Sequence, residues 1–508
     1  MLRIRPFLAA FSLFTTTCAA AVPLSGVVAS FELGDSDLFG SREDGVVRIT
    51  GEALAKELGL ALGGVSMANV AVWSGPGDTL SRVSGKPAVP PSLRAIPIQR
   101  LDRNSDGIFD RDDEIRFWAH GPNFWKPDSS TELAWSYTIH PWAKTRRYLI
   151  RLDAPEGSPD LGKEHPGRDP VAFSSVWQPV RVGTPKSRLE QPDGENLNEK
   201  DMGIGWFWID TRDSGNVLRL PGPEDSDLPG SRPDSVLVKF RKVASSVLSN
   251  PDWSGLNSVA IEGSAAWIRG ASADISQSVW KGGAPSGSRR FALTFKNRIS
   301  LGIQDYIFAY KRDLSGADSV LFPAPSLGSV SISVKRASST CWVLEDGVAV
   351  RGCSVVDGLL RDSARAPGTW YALFPSNTIG IRPRLSKWTE PSGSNVVRDW
   401  TASRKADVLV VAPRLLLGVA QEYAVHREAA FQVRPMKVAI LPLEEVYDLW
   451  SGGMTDPVAI RRAGGRGVPG ASFAWRDRDL ERARRNGSSD RVWNGGRAQA
   501  SLSPGSPI

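Results

Sequence analysis

Asp407-Val-Leu-Val-Val-Ala412 is a short, continuous apolar run, which is typical of a strand that is buried on both faces. Pro413 ends the run, and apolar residues at helical spacing follow from Leu415 to Ala430. Lys437-Val-Ala-Ile-Leu441 is a second run of the same kind, and Pro442 closes it. Buried strands that alternate with helices predict the opening of an α/β domain.

Two further helices are predicted after the second run. The stretch from Leu443 to Trp450 has helical spacing. Thr455-Asp456-Pro457 predicts the start of another helix, because an Asp side chain can cap the free amides and Pro suits the first turn. The pattern stops after Ala463, so residues 401–463 are predicted to hold this α/β opening. Residues 464–508 are rich in Arg and lack Lys, and they are predicted to be a disordered tail.

The composition favours short strands and turns in the rest of the chain. The 508 residues include 18 Trp, 49 Gly and 36 Pro. Residues 22–128 are predicted to mix strands, such as Gly45 to Thr50 and Val70 to Trp73, with a helix from Gly51 to Leu60. Residues 129–400 are predicted to form a β-sandwich. Its predicted strands are Tyr148 to Leu152, Gly205 to Ile209, Ser235 to Val243, Ser258 to Ile261, Arg290 to Phe295, Asp305 to Lys311, Ser329 to Lys335 and Thr369 to Phe374.

The first 21 residues have the pattern of a secretory signal. Arg3 and Arg5 are basic, Phe7 to Phe14 is apolar, and Ala19-Ala20-Ala21 is a small-residue cleavage site. No later segment is apolar enough to cross a membrane. We therefore expect a secreted protein that is located in the periplasm or at the outer-membrane surface, without a transmembrane segment after cleavage.

The formal net charge of +7 is concentrated in the tail. Residues 464–508 contain eight Arg and four acidic residues, and the remainder carries no basic stripe. The body of the chain is therefore not expected to bind nucleic acid. A basic tail that binds RNA or lipid is a weaker alternative.

Two cysteines remain after signal cleavage. Cys341 and Cys353 lie on either side of Asp346-Gly347, which predicts a hairpin turn. Such a hairpin brings the two thiols together, and export supplies oxidising conditions, so a disulfide is expected. The alternative is a pair of buried free thiols.

The sequence from Asp102 to Asp113 matches the spacing of a Ca²⁺-binding loop. Oxygen-bearing side chains occupy positions 1, 3, 5, 9 and 12, Gly107 permits the sharp bend at position 6, and the carbonyl oxygen at position 8 can add a ligand. The alternative is an acidic surface turn between strands. The predicted ligands of a structural calcium ion are Asp102, Asn104, Asp106, Ile108, Asp110 and Asp113.

No catalytic motif stands out. The chain lacks a G-x-S-x-G elbow and a zinc-ligand spacing. His426 lies in a predicted helix, and the other three histidines lie in regions of predicted strands with no cysteine nearby. A disulfide would also prevent either remaining cysteine from acting as a nucleophile. No catalytic residue is therefore predicted.

Several segments together resemble the gingipain-like cysteine peptidases, and most closely the cell-surface sortase of type IX secretion. Their order along the chain carries the resemblance more than any one of them. The segments are Gly45 to Thr50 with Val70 to Ser74, Asn104 to Asp110 with Ile115 to Pro122, Asp305 to Arg312, Thr369 to Phe374, and Ala406 to Pro413 with Val446-Tyr447 and Thr455 to Arg461.

The resemblance implies that residues 401–463 begin a caspase-like peptidase domain with a Cys–His dyad and an oxyanion hole. The family's Gly-Asp-Gly-His-like turn and the later Cys do not occur here. We therefore expect an inactive N-terminal fragment whose residues 464–508 are an out-of-frame translation, which the underlying DNA would test. Partners implied by the resemblance are secreted protein cargo and other outer-membrane secretion components. The alternative function is a secreted, calcium-stabilised β-sandwich adhesin or carbohydrate-binding protein.

Overall fold

The structure is a computed structural model, and not every residue of the chain is described. The predicted signal at residues 1–21 and residues 468–508 of the predicted tail lie outside the described residues, as do residues 205–208. Between residues 182 and 300, six strands are described. Elsewhere the described residues are 24, 26–34, 44–75, 80, 93–127, 135–138, 140, 142–165, 168–181, 301–314, 319–334, 339–364, 368–376, 378–396, 406–430 and 436–467.

The first sheet is antiparallel, and strand β9 lies near its middle. Its five strands have the order β25-β1-β9-β3-β4. Because β9 pairs with both β1 and β3, the predicted boundary at residue 128 cuts through this sheet. The strands are β1 (Val27–Gly34), β3 (Ala71–Ser74), β4 (Arg94–Ala95), β9 (Thr145–Arg151) and β25 (Ser386–Lys387).

The second sheet has the order β2-β6-β5, with strands β2 (Asp44–Thr50), β5 (Gln99–Leu101) and β6 (Glu114–His120). Helix α1 (Gly51–Leu58) follows β2 directly. The Thr50 hydroxyl accepts a hydrogen bond from the Ala53 amide at 3.2 Å and caps the helix. Gly59 adopts a left-handed conformation with φ +63°, so α1 ends two residues before the predicted Leu60.

The N-terminal core fills the space between these two sheets and α1. Aromatic side chains dominate it: the ring centroids of Phe31 and Tyr148 lie 5.0 Å apart and are stacked. Phe117 and Phe109 are also fully buried, and Leu54 joins them from α1. Strands with apolar residues at alternate positions therefore supply this core, as period-two patterning predicts.

The third sheet has seven strands and buries apolar side chains on both faces. Along β24, Tyr371 and Leu373 face one apolar cluster, whereas Trp370 and Phe374 face another that also contains Trp118 of the second sheet. The strand order is β10-β20-β23-β22-β21-β24-β19. The strands are β10 (Val171–Phe173), β19 (Val320–Pro323), β20 (Gly328–Ser333), β21 (Ser339–Glu345), β22 (Val348–Val356), β23 (Leu359–Ala364) and β24 (Trp370–Pro375).

The remaining antiparallel strands form two more sheets and a hairpin. One sheet has the order β11-β18-β14-β16 with β12 paired to β18, and the other has the order β13-β17-β15. The prediction of a mainly β architecture is therefore confirmed. The strands are β7 (Phe124–Pro127) and β8 (Trp135–Thr138) in the hairpin, and β11 (Val176–Arg181), β12 (Ile209–Asp210), β13 (Val217–Pro221), β14 (Val236–Ala244), β15 (Leu256–Ile261), β16 (Gln277–Gly282), β17 (Arg290–Phe295) and β18 (Leu301–Arg312).

The C-terminal unit is a parallel pair of strands with helices on both faces. Strands β26 (Val408–Ala412) and β27 (Val438–Pro442) pair in parallel, and helix α2 (Leu417–Ala430) connects them. Helices α3 (Leu443–Ser451) and α4 (Pro457–Gly467) pack against each other and cover the face opposite α2. The order of strands and helices agrees with the prediction from the sequence.

Two details differ from the prediction. Arg414–Leu416 forms a 3₁₀ turn, so α2 proper begins at Leu417. Helix α4 continues to Gly467, four residues past Ala463, so the predicted disordered tail does not begin at residue 464. Among the described residues, no helix is both long and apolar enough to span a lipid bilayer.

Candidate functional site

Helices α3 and α4 lie against the first sheet, and we call this contact the inter-region interface. The backbones of Gly75 and Gly452 meet there: a Cβ added at Gly75 would lie 2.2 Å from the Gly452 Cα. Leu80 packs in one apolar cluster with Trp450 of α3 and Val458 of α4. The start of the α/β unit is thus attached to the N-terminal region by direct packing.

Arg147 of the first sheet forms an ion pair with Asp448 of the α/β unit. Its guanidinium reaches the Asp448 carboxylate at 3.2 Å and the Glu32 carboxylate at 2.9 Å. Burial raises the pKa of Asp448 to about 6, and Arg147, although close, only partly opposes that rise. Burial also works against the charge of Arg147, but Asp448 and Glu32 together raise its pKa. The ion pair across the interface therefore joins a fully buried carboxylate to a guanidinium that is only 19% exposed.

His140 and Asp456 face each other at the start of α4. The His140 Nδ1 accepts hydrogen bonds from the Ala143 amide at 2.9 Å and the Trp142 amide at 3.3 Å, so its proton lies on Nε2. That nitrogen lies 3.7 Å from the Asp456 Oδ2, beyond hydrogen-bond distance, and both side chains are fully buried. Burial lowers the pKa of His140 to about 4, so the ring is neutral.

Asp456 itself caps helix α4. Its Oδ1 accepts a hydrogen bond from the Val458 amide at 2.8 Å, and Pro457 occupies the first helical position. This is the cap that the sequence predicts. Its Oδ2 also accepts from the Leu80 amide at 3.4 Å, which ties the cap to the N-terminal region.

A second buried histidine lies beside a buried arginine. His120 contacts the Arg146 guanidinium, which also donates to the Ser74 hydroxyl at 2.9 Å and to the Gly75 carbonyl. Burial, followed by the positive charge of Arg146, holds the pKa of His120 well below its usual value. The ring is neutral and sealed from solvent, which suits a structural role rather than proton transfer with a substrate.

Charged residues also follow the carboxyl ends of β26 and β27, where α/β proteins place their sites. The Arg414 amide donates to the Glu444 carboxylate at 3.0 and 3.1 Å. The Arg414 guanidinium lies 4.3 Å above the Trp388 ring and 3.7 Å from the Glu445 carboxylate. This group can hold charges in place, but it contains no nucleophile.

The described residues provide no Cys–His pair. Cys341 and Cys353 form a disulfide between adjacent strands β21 and β22, with Cα atoms 5.1 Å apart. His120 and His140 are buried and neutral, whereas His165 and His426 lie outside the interior. Within the described part of the chain, no thiol is therefore free to attack a carbonyl group.

The predicted calcium loop is closed by its own hydrogen bonds. The Asp102 carboxylate accepts from the amides of Ser105 at 2.7 Å and Gly107 at 2.8 Å. Buried Asp113 accepts from the Arg103 amide at 2.8 Å and the Asp110 amide at 3.0 Å. The carboxylates thus fix the shape of the loop, as in an acidic turn.

The side chains of this loop carry the oxygen atoms that calcium prefers, but these atoms are not arranged around a common site. The Asn104 amide nitrogen donates to both Asp106 and Asp110 at 3.0 Å, so a donor occupies the space between these carboxylates. In the described residues, no group of three or more His, Cys, Asp or Glu side chains is placed to hold a metal. A calcium ion would require the Asn104 side chain to turn its oxygen inward.

Tryptophan burial bears on the carbohydrate-binding alternative. Among the tryptophans whose side chains are described, Trp118, Trp342, Trp370, Trp388 and Trp450 are buried and the others are half-buried. A sugar-binding platform needs exposed ring faces. Apart from half-buried Trp142, these tryptophans belong to the apolar clusters, and they give that alternative no support.

Together, the fold is that of a mainly β protein that leads into a parallel βαβ unit. No family model matches the sequence, and no curated protein matches it. Among solved structures, the chain is similar to dimeric latent PorU from Porphyromonas gingivalis, with a TM-score of 0.53 and 16% sequence identity. The similarity covers 87% of this chain and 39% of that chain. At this identity the likeness is one of fold alone, and it extends over well under half of that protein.

The interface residues were not predicted from the sequence. Arg147 lies in a strand with the pattern Arg-Arg-Tyr, which gives no sign that a carboxylate 301 residues away will pair with it. Asp448 lies in a predicted helix, and its place among the apolar residues of that helix is equally consistent with a surface position. Only Asp456 carried a local signal, namely the Pro that follows it.

Proposed function

We propose that the chain is an exported protein of the gingipain-like cysteine peptidase family. It supplies the β-rich region and the first strand–helix units of a caspase-like peptidase domain. The observation that carries the proposal is the fold likeness to PorU over 87% of the chain, together with the parallel βαβ unit of β26, α2 and β27. The Cys341–Cys353 disulfide suits an oxidising compartment.

The same likeness supports a place in type IX secretion. Its partners in that role are secreted protein cargo or other outer-membrane secretion components, and its location is the periplasm or the outer-membrane surface. Export requires cleavage near Ala21. The N-terminal sequence of the protein recovered outside the cytoplasm should therefore begin at or near Val22, and an uncleaved N-terminus there would contradict the signal assignment.

The purified chain is expected to give no thiol-dependent cleavage of peptides, because both described cysteines form a disulfide. Turnover of fluorogenic peptides is measured before and after treatment with iodoacetamide. A matched sample of an active cysteine peptidase shows that the substrates and the reagent work. Turnover that iodoacetamide abolishes would contradict the proposal.

A structural calcium ion in the Asp102 to Asp113 loop remains a proposal. Added Ca²⁺ is expected to raise the Tm, since ligand at one hundred times its Kd stabilises by about 2.7 kcal/mol. Asp106→Asn together with Asp110→Asn should remove the shift, because both lose a charged ligand. Asp112→Asn is the matched control, since Asp112 is not a predicted ligand. An absent shift, or an equal loss in the control, would contradict calcium binding here.

A further inference from the structure

Three arginines form a row across the second sheet and the segment beside it, although they lie far apart in the sequence. Arg48 of β2 is directly opposite Arg116 of β6 in the antiparallel register. On the other edge of β2, Ile381 forms a parallel bridge to Val47, so Arg382 follows beside Arg48. Neighbouring strands are ~4.8 Å apart, so the three side chains start from adjacent positions. We call Arg382, Arg48 and Arg116 the arginine row.

The side chains of the arginine row lie on one face of the sheet. Val47 and Ile381 pack against the N-terminal core. Side chains alternate along extended backbone, so the next residue of each segment, Arg48 or Arg382, points to the opposite face. The Arg48 amide donates to the Ile381 carbonyl at 2.9 Å, away from β6, so Arg48 and Arg116 form a non-hydrogen-bonded pair whose side chains lie close together. Like charges in directly opposite positions destabilise a sheet.

One carboxylate offsets part of this charge. Glu114 is fully buried, and its two oxygens lie 2.5 Å from Arg48 and 2.5 Å from Arg116. Burial acts to raise the pKa of Glu114, but the hydrogen bonds and charges of these two arginines outweigh burial and lower it, so the carboxylate is ionised. Arg103 brings a further guanidinium to 3.6 Å from the same carboxylate. Together with Arg103, the arginine row has four positive charges against one negative charge.

The excess positive charge is accessible to solvent. Within the part of the chain that the structure describes, Glu114 is the only acidic residue that forms ion pairs with the arginine row. The carboxylates of the nearby Asp102 to Asp113 loop accept hydrogen bonds from amides of that loop instead. Arg48 and Arg116 are 19% and 22% exposed, and Arg382 is exposed. An anion from solvent can therefore reach the row.

We propose that the arginine row and Arg103 form a binding site for a phosphate group. Guanidinium groups hold phosphate through paired, charge-assisted hydrogen bonds. Glu114 is contacted by the Nε and Nη2 atoms of Arg48 and Arg116, which leaves their Nη1 atoms able to donate to a ligand. A phosphate monoester carries nearly two negative charges at neutral pH, so it offsets more of the excess charge than a carboxylate does. The site does not depend on the proposed peptidase family.

Isothermal titration calorimetry of the full chain with inorganic phosphate tests the site, at constant ionic strength and with EDTA present so that calcium takes no part. The wild type is expected to bind phosphate saturably. Arg103→Gln together with Arg382→Gln should weaken binding roughly tenfold, because two positive charges are lost while the ion pairs of Glu114 stay intact. Arg361→Gln, at an exposed arginine of β23 in the third sheet, is the matched control and should bind as the wild type does. No saturable binding, or equal weakening in the control, would overturn the proposal.

Vesicles distinguish the source of the phosphate group. Cosedimentation is measured with vesicles of phosphatidylcholine alone and with vesicles that also contain phosphatidic acid, whose head group is a phosphate monoester. Binding that requires phosphatidic acid and is lost in the double variant assigns the site to a lipid head group. Binding of inorganic phosphate without vesicle binding assigns it to a soluble phosphate ester. Vesicle binding that the double variant retains in full would contradict the proposal.

Discussion

Replacing Arg147 by Met is expected to destabilise the folded chain by about 3–5 kcal/mol near neutral pH, as measured by urea unfolding. The substitution removes the guanidinium that lies 3.2 Å from Asp448, whose side chain is 1% exposed. A buried carboxylate would then lack its neutralising partner. Below pH 6, which is about the pKa of Asp448, the loss should shrink because the carboxyl group can take up a proton.

Two variants distinguish the effect of losing the ion pair from the effect of losing side-chain packing. Asp448→Asn in the Arg147→Met background should recover most of the lost stability near neutral pH, because no buried charge remains. Glu32→Gln should cost less than about 1 kcal/mol, since Glu32 is 41% exposed. Equal losses for Arg147→Met at high and low pH, or no recovery in the double variant, would contradict a buried ion pair at the interface.

As the pH falls, Asp448 and His140 are expected to change the free energy of unfolding in opposite directions. The folded-state pKa of His140, about 4, lies below the ordinary value of 6.5, so its contribution is complete above pH 6.5 and is lost toward pH 4. The folded-state pKa of Asp448, about 6, lies above its ordinary 3.8, so its unfavourable contribution above pH 6 is relieved toward pH 4. Each change amounts to about 3 kcal/mol and they have opposite signs.

Single variants should reveal each contribution. Asp448→Asn is expected to leave a chain that loses about 3 kcal/mol between pH 6.5 and pH 4, because His140 then acts alone. His140→Gln should be less stable than the wild type near neutral pH and should gain stability over the same interval. Urea unfolding at several pH values measures both. A wild type with a steep acid loss in this interval that neither variant alters would contradict the two assignments.

Asp448 and His140 both lie where the α/β unit meets the first sheet. Arg147 lies in β9 and Asp448 in α3, while His140 precedes β9 and Asp456 begins α4. Loss of the Arg147–Asp448 ion pair or of the hydrogen bond from the Leu80 amide to Asp456 is therefore expected to loosen the same interface that Gly75 and Gly452 form by backbone contact. The stability of the first strand–helix units thus depends on the β-rich region.

Local sequence signals predicted the strands and helices of the C-terminal unit well, whereas strands such as β1, β11 and β16 were not predicted. Continuous apolar runs predicted β26 and β27 to within one residue at either end, because strands between two layers of helices have that pattern. Every residue of β27 is buried as expected, whereas Val408 to Val411 of β26 are only half-buried. Asp456-Pro457 predicted the start of α4, and Asp346-Gly347 predicted the hairpin between β21 and β22. Each of these signals is contained within a few neighbouring residues.

Contacts between distant residues left no such signal. The sequence from Asp153 to Pro170 is polar and rich in turn residues, yet Ser158 is buried and accepts a hydrogen bond from the Val72 amide at 2.9 Å. Likewise, Arg147 and Asp448 could each have been surface residues. Their pairing depends on how the first sheet and α3 pack against each other. Local sequence patterns do not encode that packing. The calcium loop was predicted from spacing, but spacing alone does not fix the direction of the Asn104 amide.

Counting the free thiols of the purified protein tests most directly whether it lacks a nucleophile. The proposed cleavage near Ala21 would remove Cys18 and leave Cys341 and Cys353, which form the disulfide. Intact mass after alkylation should therefore show no alkyl group without reduction and two after reduction. Alkylation of unreduced, native protein that also stops peptide turnover would reveal a working thiolate and would contradict the expectation that the chain has no free nucleophile.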